Sequence, residues 1–329
     1  MNAISKLLQF IFLTFLVSYS SHVSAEWFSH SFETMGTQAK VEFEHEDPIK
    51  GEALVKAVVA EMERVNQAMS PYIETSELSI MNREAKINPF KISDELFQLL
   101  KRSNEVSQLT NGAFDVTFSS LAFLYDYRAG NKPTEEEIKR LKSAINYQKV
   151  ILDETKKTVF YQDNRIKIDL GGIGKGHAVD KCIELLQKAG VNNGFVNAGG
   201  DSRIIGKKAD RLWYIGIRHP RDDNKLIANL PLEDIALSTS GDYERFFEKD
   251  GVRYHHIIDP KTGDSARAIQ SATILADDST TADALSTSIF ILGVEKGMAL
   301  VNRLPNVSAI MVNSKGRMYL SQDLMPAND

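Results

Sequence analysis

The 329-residue chain is 43% hydrophobic, 25% charged and 9% aromatic, which supplies enough apolar material for a sizeable core and excludes disorder as the main state. Lysine plus arginine (39) against aspartate plus glutamate (44) gives a net charge of −5 with no basic block, which excludes a broad nucleic-acid platform. The single cysteine, Cys182, excludes an internal disulfide and a cysteine-based zinc centre.

Residues 1–25 read as a secretory signal. Lys6 precedes the largely apolar run LLQFIFLTFLV, and the small residues of Val23-Ser24-Ala25 suit a signal peptidase. The run falls short of the roughly 20 apolar residues of a comfortable membrane span, and no nearby cysteine offers a lipid attachment site. The expected product is exported and periplasmic, not a lipoprotein; an uncleaved membrane anchor is the alternative. Residues 26–329 show no fixed-period repeat and no Pro- or Ser-rich linker, so they read as one unit in which two subdomains flanking a site stay open.

Along that unit, Gln38–Glu44 alternates as a strand, and the apolar spacing of Ala53–Met69 predicts an amphipathic helix. Ser93 is an expected N-cap for a helix reaching Leu109, and Thr134 with Glu137 forms a capping-box pattern. Thr158–Tyr161 and Arg165–Leu170, flanking Asp163-Asn164, read as a hairpin. A glycine-rich turn then leads into a helix stopped by Gly190. Asp250-Gly251 between Tyr243–Glu248 and Val252–Ile258 is a strong hairpin signal. A strand at Gln270–Ala276, helices at Thr281–Leu292 and Glu295–Leu304, and a strand pair around Ser314–Gly316 complete the series. Hairpins with irregularly interspersed helices predict an α+β fold with largely antiparallel or mixed sheets.

Three segments carry chemistry. Asp169-Leu-Gly-Gly-Ile-Gly-Lys-Gly176 is no Walker loop, because Asp169 stands where the first glycine belongs and Gly176 where Ser or Thr belongs; it fails the dinucleotide fingerprint too. Its glycines still let the backbone approach a ligand, and the helix N-terminus that follows favours anions; a tight turn without ligand is the plain alternative. Asp283 and Thr287 stand four apart on one helix face, as two oxygen ligands of a hard cation such as Mg²⁺ would. By themselves they read more often as capping or solvated groups. His255 and His256 alternate along a strand, so at most one enters a given pocket, and a structural histidine is the usual reading of either.

Taken in order, Phe32–Thr37, Ser76–Asn82, Gly112–Thr117, Asp169–Asp180, Asn197–Asp201, Ser238–Tyr243, His256–Gly263 and Ala282–Thr287 resemble the ApbE family of flavin transferases over nearly the whole exported chain. The resemblance implies an ApbE-like fold and an enzyme that splits FAD with Mg²⁺ and moves FMN onto a Thr or Ser hydroxyl of a target protein, releasing AMP. By position, Met35, Tyr72, Ala113, Phe114, Asp115, Asp169, Lys175 and Ile257 match family flavin-nucleotide contacts. Asp283 and Thr287 match metal ligands, Gly172 matches a position that ligates through its carbonyl, and His256 matches the candidate catalytic histidine. Some members carry a side-chain oxygen at the position of Gly172 and a carboxylate at that of Ser286, so the metal's oxygen count does not transfer. The family implies acceptors such as flavin-carrying subunits of ion-pumping quinone or ferredoxin oxidoreductases. An FAD pyrophosphatase using water, and a flavin-binding protein without catalysis, remain alternatives.

Overall fold

The structure, a computed structural model, describes residues 25–325; residues 1–24, with nearly all of the expected export signal, and residues 326–329 lie outside the described residues. Strands β1 (Glu26–Thr34) and β2 (Thr37–His45) pair through a Met35-Gly36 turn in which both residues have positive φ, 50° and 71°. Asp47 then caps α1 (Pro48–Met69), accepting from the N–H groups of Ile49 and Lys50, with Pro48 at the start of the helix. The helix therefore begins before the expected Ala53, and Asp-Pro is the signal that marks it. Its buried stripe is Val58, Met62, Val65 and Met69.

Helix α2 (Glu77–Glu84), strand β3 (Phe90–Lys91) and helix α3 (Asp94–Leu109) follow, with Ser93 capping α3 as expected. Two short helices, α4 (Ser119–Ala122) and α5 (Glu135–Leu141), come next, and Thr134 and Glu137 make the reciprocal cap at the start of α5. Strand β4 (Val150–Asp153) pairs with β5 (Thr158–Tyr161), and β3 extends that hairpin to three strands.

The expected hairpin between Thr158–Tyr161 and Arg165–Leu170 does not form. Asn82 takes the N–H of Ile168 and donates to its carbonyl, Ser120 takes the N–H of Lys167, and the Val116 carbonyl takes the N–H of Asp169. With its backbone groups satisfied by distant partners, this segment stays extended without a strand neighbour.

Helix α6 (Gly174–Lys188) rises from the glycine turn, and Gly190, at φ 87°, follows its end. Strands β6 (Gly194–Ala198), β7 (Asp201–Ile205), β8 (Trp213–His219), β9 (Asp222–Leu232) and β10 (Ala236–Gly241) come next. Strands β11 (Phe246–Lys249) and β12 (Val252–His255) turn through Asp250-Gly251 as expected, with φ of 53° and 73°. Both strands are shorter than expected, because Ile258–Asp259 (β13) pairs instead with Asp264–Ser265 (β14). Strand β15 (Ile269–Ala276), helix α7 (Ser279–Val301), and strands β16 (Ser308–Asn313) and β17 (Met318–Leu320) complete the chain. Gly293, at φ 78° and ψ 176°, breaks α7 between the two helices expected from the sequence.

The frame is an eight-stranded sheet in the order β1-β2-β6-β7-β10-β15-β16-β17, with every neighbouring pair antiparallel. Helices α1, α6 and α7 pack on one face over the main core. A smaller core around Ile204, Trp213, Leu232, Leu237 and Leu275 forms with the β8–β9 hairpin. The antiparallel frame is that of an α+β fold. Because side chains alternate along β10, Ser238 and Ser240 share a face, and both meet side chains of α7.

Candidate active site

The site forms where the first turn of α6, the first turns of α7 and the ends of β7 and β10 meet. Helix α6 has Ile173 at its cap position and no side-chain cap of its own. Asp283, reaching across from α7, supplies one: its Oδ2 accepts the Gly176 N–H at 3.0 Å. An anion at a helix N-terminus is favourable because the unpaired N–H groups carry partial positive charge. The contact requires glycine at 176, since a Cβ there would collide with the Ser279 carbonyl. The junction is fixed from the other side by Asp180, which accepts from the N–H groups of Ser279 (2.9 Å) and Thr280 (2.8 Å) and from Arg203 of β7 (2.7 Å).

Lys175 lies between two buried carboxylates, with its Nζ 2.7 Å from Asp201 Oδ2 and 3.8 Å from Asp283 Oδ2. Burial works against its charge, but Asp201 and Asp283 outweigh that and hold the ammonium well above its usual range. Burial, reinforced by the charge of Asp201, pushes the Asp283 carboxyl up. Burial likewise raises Asp169, whose Oδ1 accepts the Gly171 N–H at 2.7 Å. Asp283 is the more weakly paired of the two carboxylates, and its charge is the one that a further cation would stabilise.

Gly172 and Thr287, two of the residues that could offer oxygens to such a cation, adjoin one another. A Cβ on Gly172 would stand 3.2 Å from Thr287 Oγ1 and 3.3 Å from the Phe114 ring, so the glycine turn lies directly over Thr287. Thr287 is one turn beyond Asp283, as the sequence spacing predicts. Among the described residues no three His, Cys, Asp or Glu side chains converge as a metal cluster. A carboxylate, a hydroxyl and a backbone carbonyl suit instead a hard ion that keeps waters and takes phosphate oxygens, the habit of Mg²⁺.

The two histidines separate, but not by strand alternation: β12 ends at His255, and His256 lies in the bend that follows. His255 is buried edge-on against Phe290, with its Nε2 2.5 Å from the Ala266 carbonyl. His256 stands near Lys175 and Arg245, and its Nδ1 is buried with no hydrogen-bond partner. Burial above all, then His255 and the cations Arg245 and Lys175, push it down to about 3, so the resting imidazole is neutral. An orphaned polar atom in a charged pocket points to a group that the pocket is built to receive.

Other expected residues divide into two sets. Tyr72 is exposed and lies near Asp169 and Arg245, while the Met35-Gly36 turn abuts the Arg245 guanidinium. Asp115, by contrast, is committed internally: it accepts from the Thr117 N–H and hydroxyl (2.9 and 2.6 Å) and from the Tyr147 N–H (2.9 Å). Ala113 is buried, and Ile257 is buried within the main apolar core. The sequence reading assigned no role to Asp201, Ser240 or Arg245. The Gly199-Gly200 turn before Asp201 and the Ser-Thr-Ser run of β10 are the signals that mark the first two.

The ApbE family model matches residues 35–311, spanning every element of this site. The chain belongs to the ApbE family. It is an enzyme of the transferase class. It is 32% identical to the FAD:protein FMN transferase of Vibrio cholerae over 92% of this chain and 93% of that one. It is also 32% identical to the enzyme of the same name from Haemophilus influenzae, over 84% and 83% of the two chains. The crystal structure of the ApbE protein of Thermotoga maritima superposes with a TM-score of 0.84 at 35% identity, covering 91% of this chain and 98% of that one. The flavin transferase ApbE of Vibrio cholerae gives a TM-score of 0.81 at 31% identity, with the same coverage. The α+β architecture is therefore the ApbE fold.

Proposed function

We propose that this ApbE protein splits FAD with Mg²⁺, joins the FMN phosphate to a threonine or serine hydroxyl of an acceptor protein, and releases AMP. The observation that carries the reading is the Lys175 cluster: one ammonium at a helix start that Asp283 caps from α7, beside Thr287 and Gly172, with a neutral His256 whose Nδ1 has no partner close by. Asp283, Thr287 and the Gly172 carbonyl would hold the metal, which when bound neutralises charge on the phosphates.

The chain's own residues do the rest. Lys175 offers its ammonium to the pyrophosphate, and Asp201 holds that ammonium in place. Tyr72 and Phe114 offer rings to the flavin or adenine, Tyr72 from the exposed rim and Phe114 from the buried wall. Neutral His256 takes the proton of the attacking hydroxyl as the new oxygen–phosphorus bond forms and the bond to AMP breaks. An anionic substrate cancels part of the positive field of Arg245 and Lys175 and raises the basicity of His256 when it is needed.

The export signal read in the sequence supports a reaction outside the cytoplasm, and the family resemblance supports as acceptors periplasmic or membrane-attached flavoprotein subunits such as those of ion-pumping quinone or ferredoxin oxidoreductases. Incubation of the mature chain with FAD, Mg²⁺ and an acceptor domain should give equal amounts of AMP and a phosphoester-linked FMN adduct. AMP and free FMN without adduct would establish a pyrophosphatase instead, and intact FAD a binding protein. His256→Ala should retain FAD binding and lose about 10²–10⁴-fold in transfer rate; an unchanged rate would remove His256 from the base role.

A further inference from the structure

A chain of hydroxyls runs behind the proposed metal ligands, from Asp201 to Thr287. Ser238 Oγ lies 2.6 Å from Asp201 Oδ1 and 3.1 Å from Ser286 Oγ. Ser286 Oγ lies 2.8 Å from Ser240 Oγ and 2.9 Å from the Asp283 carbonyl, and Ser240 Oγ lies 3.3 Å from Thr287 Oγ1. Ser238 and Ser286 are fully buried, so water does not interrupt the chain there.

Each hydroxyl has one proton, and the two fixed acceptors decide where the protons point. The Asp201 carboxylate, ion-paired to Lys175, takes the proton of Ser238. Ser286 then faces two oxygens that give it nothing: the Asp283 carbonyl, which has no proton, and Ser238, whose proton is committed. Its own proton serves that side. Were it donated to Ser240 instead, both the 2.9 Å and the 3.1 Å contacts would be oxygen against oxygen with no proton between them. Ser240 is thus the donor to Ser286, and the remaining contact forms only if Thr287 donates to Ser240.

We propose that Ser240 and Ser286 are positioning residues that draw the Thr287 proton into the serine chain and leave the Thr287 lone pairs facing the pocket, set to bind a divalent cation. A threonine hydroxyl left free to rotate would present its proton to the ion in part of its orientations. The chain removes those orientations before the ion arrives, as outer hydrogen bonds to metal ligands do generally. It also links the ion's site to Asp201, and through Asp201 to Lys175. The inference rests on the reading of Thr287 as a metal ligand.

The test is Mn²⁺ affinity of the mature chain without FAD, followed by electron paramagnetic resonance, in wild type, Thr287→Val, Ser240→Ala, Ser240→Thr and Ser286→Ala. Ser240→Ala and Ser286→Ala should each bind about 10-fold more weakly, with thermal midpoints close to wild type, and Ser240→Thr should bind as wild type does. Wild-type affinity in Ser240→Ala beside lost affinity in Thr287→Val overturns the proton-order proposal and leaves the metal reading standing. Equal weakening in Ser240→Thr and Ser240→Ala also overturns it, since packing alone would then account for the loss. Wild-type affinity in Thr287→Val overturns the metal reading itself. Should Ser240→Ala fold poorly, Ser286→Ala against wild type carries the same decision.

Discussion

Two clusters of charge share the first turn of helix α6 and differ in how completely their groups are paired. On one side Lys175 sits between Asp201 and Asp283, with the His256 Nδ1 orphaned nearby and two buried carboxylates sharing one ammonium. On the other, His177 faces a surface groove of about 790 Å³ between α1, α3 and α6. There Glu95 accepts from Arg64 through both oxygens, at 2.8 Å each, and lies 2.9 Å from His177, while Arg64 also pairs with Glu61. The groove has room, but its charges answer one another across elements that would otherwise separate. On the Lys175 side Asp283 is crowded by Asp201 rather than paired, and the His256 Nδ1 has no partner. Volume marks neither region as functional; unmet electrostatic demand does, and fully met demand marks a clamp.

If that contrast is right, substitutions on the two sides should separate activity from stability. The largest effect is expected from Asp283→Ala, which removes a proposed metal ligand and the cap on α6. Transfer should fall more than about 100-fold, since losses of outer-shell partners alone cost 10–100-fold in metal affinity or activity. Stability should fall little, because the substitution also relieves a buried carboxyl already crowded by Asp201. A variant with full activity and unchanged Mg²⁺ dependence would break the comparison on its active side.

Asp180 belongs to neither set alone and should give the next largest effect. Its carboxylate joins α6 to two N–H groups and a hydroxyl at the start of α7, and to Arg203 on the sheet. Asp180→Ala leaves those donors unpaired in a buried place and should cost about 3 kcal/mol in urea unfolding. Because the same contacts set Asp283 against Gly176, transfer should fall with it. Loss of stability with undisturbed transfer would show that α7 holds its position without this anchor.

The frame was legible in the sequence where the signal is local. The Ser93 cap, the Thr134–Glu137 box and the Asp250-Gly251 turn each form as residue type and spacing predict. So does the break between the two halves of α7, where Gly293 takes a conformation that other residues rarely adopt. Cys182 is buried, and burial pushes its thiol far up, in keeping with inert packing. What was illegible depends on distant partners. Residues 166–170 alternate like a strand, but Asn82 and Ser120 complete their hydrogen bonds. The internal hydrogen bonds of Asp115 to Thr117 and Tyr147 were likewise invisible, since Tyr147 lies 32 residues away in the chain. Asp201 and Arg245 join the site only after the sheet has brought β7, and the segment after β10, to the start of α6.

Glu95→Gln tests the paired side and should give the smallest effect, one defined by its pH dependence. His177 first, and Arg64 with it, hold the Glu95 carboxyl down from an ordinary 4.5 to about 2. A carboxyl with a depressed folded-state value binds its proton less tightly folded than unfolded, so it contributes stability above about pH 4.5 and loses that contribution as pH falls toward 2. The Arg64 partner is nearly half exposed, at 46%, so solvent screening keeps the contribution near 1 kcal/mol. Urea unfolding of wild type and Glu95→Gln should therefore differ by about that much at pH 7 and converge as the pH is lowered. Flavin transfer at pH 7 should be the same in both, because the Glu95 carboxylate pairs with Arg64 and His177 rather than with the charges around Lys175. A gap that persists at low pH would mean that the glutamine disturbs packing rather than an ion pair. A loss of transfer at full stability would mean that His177, two residues along the helix from Lys175, passes its surroundings on to the site, and the separation of clamp from pocket would fail.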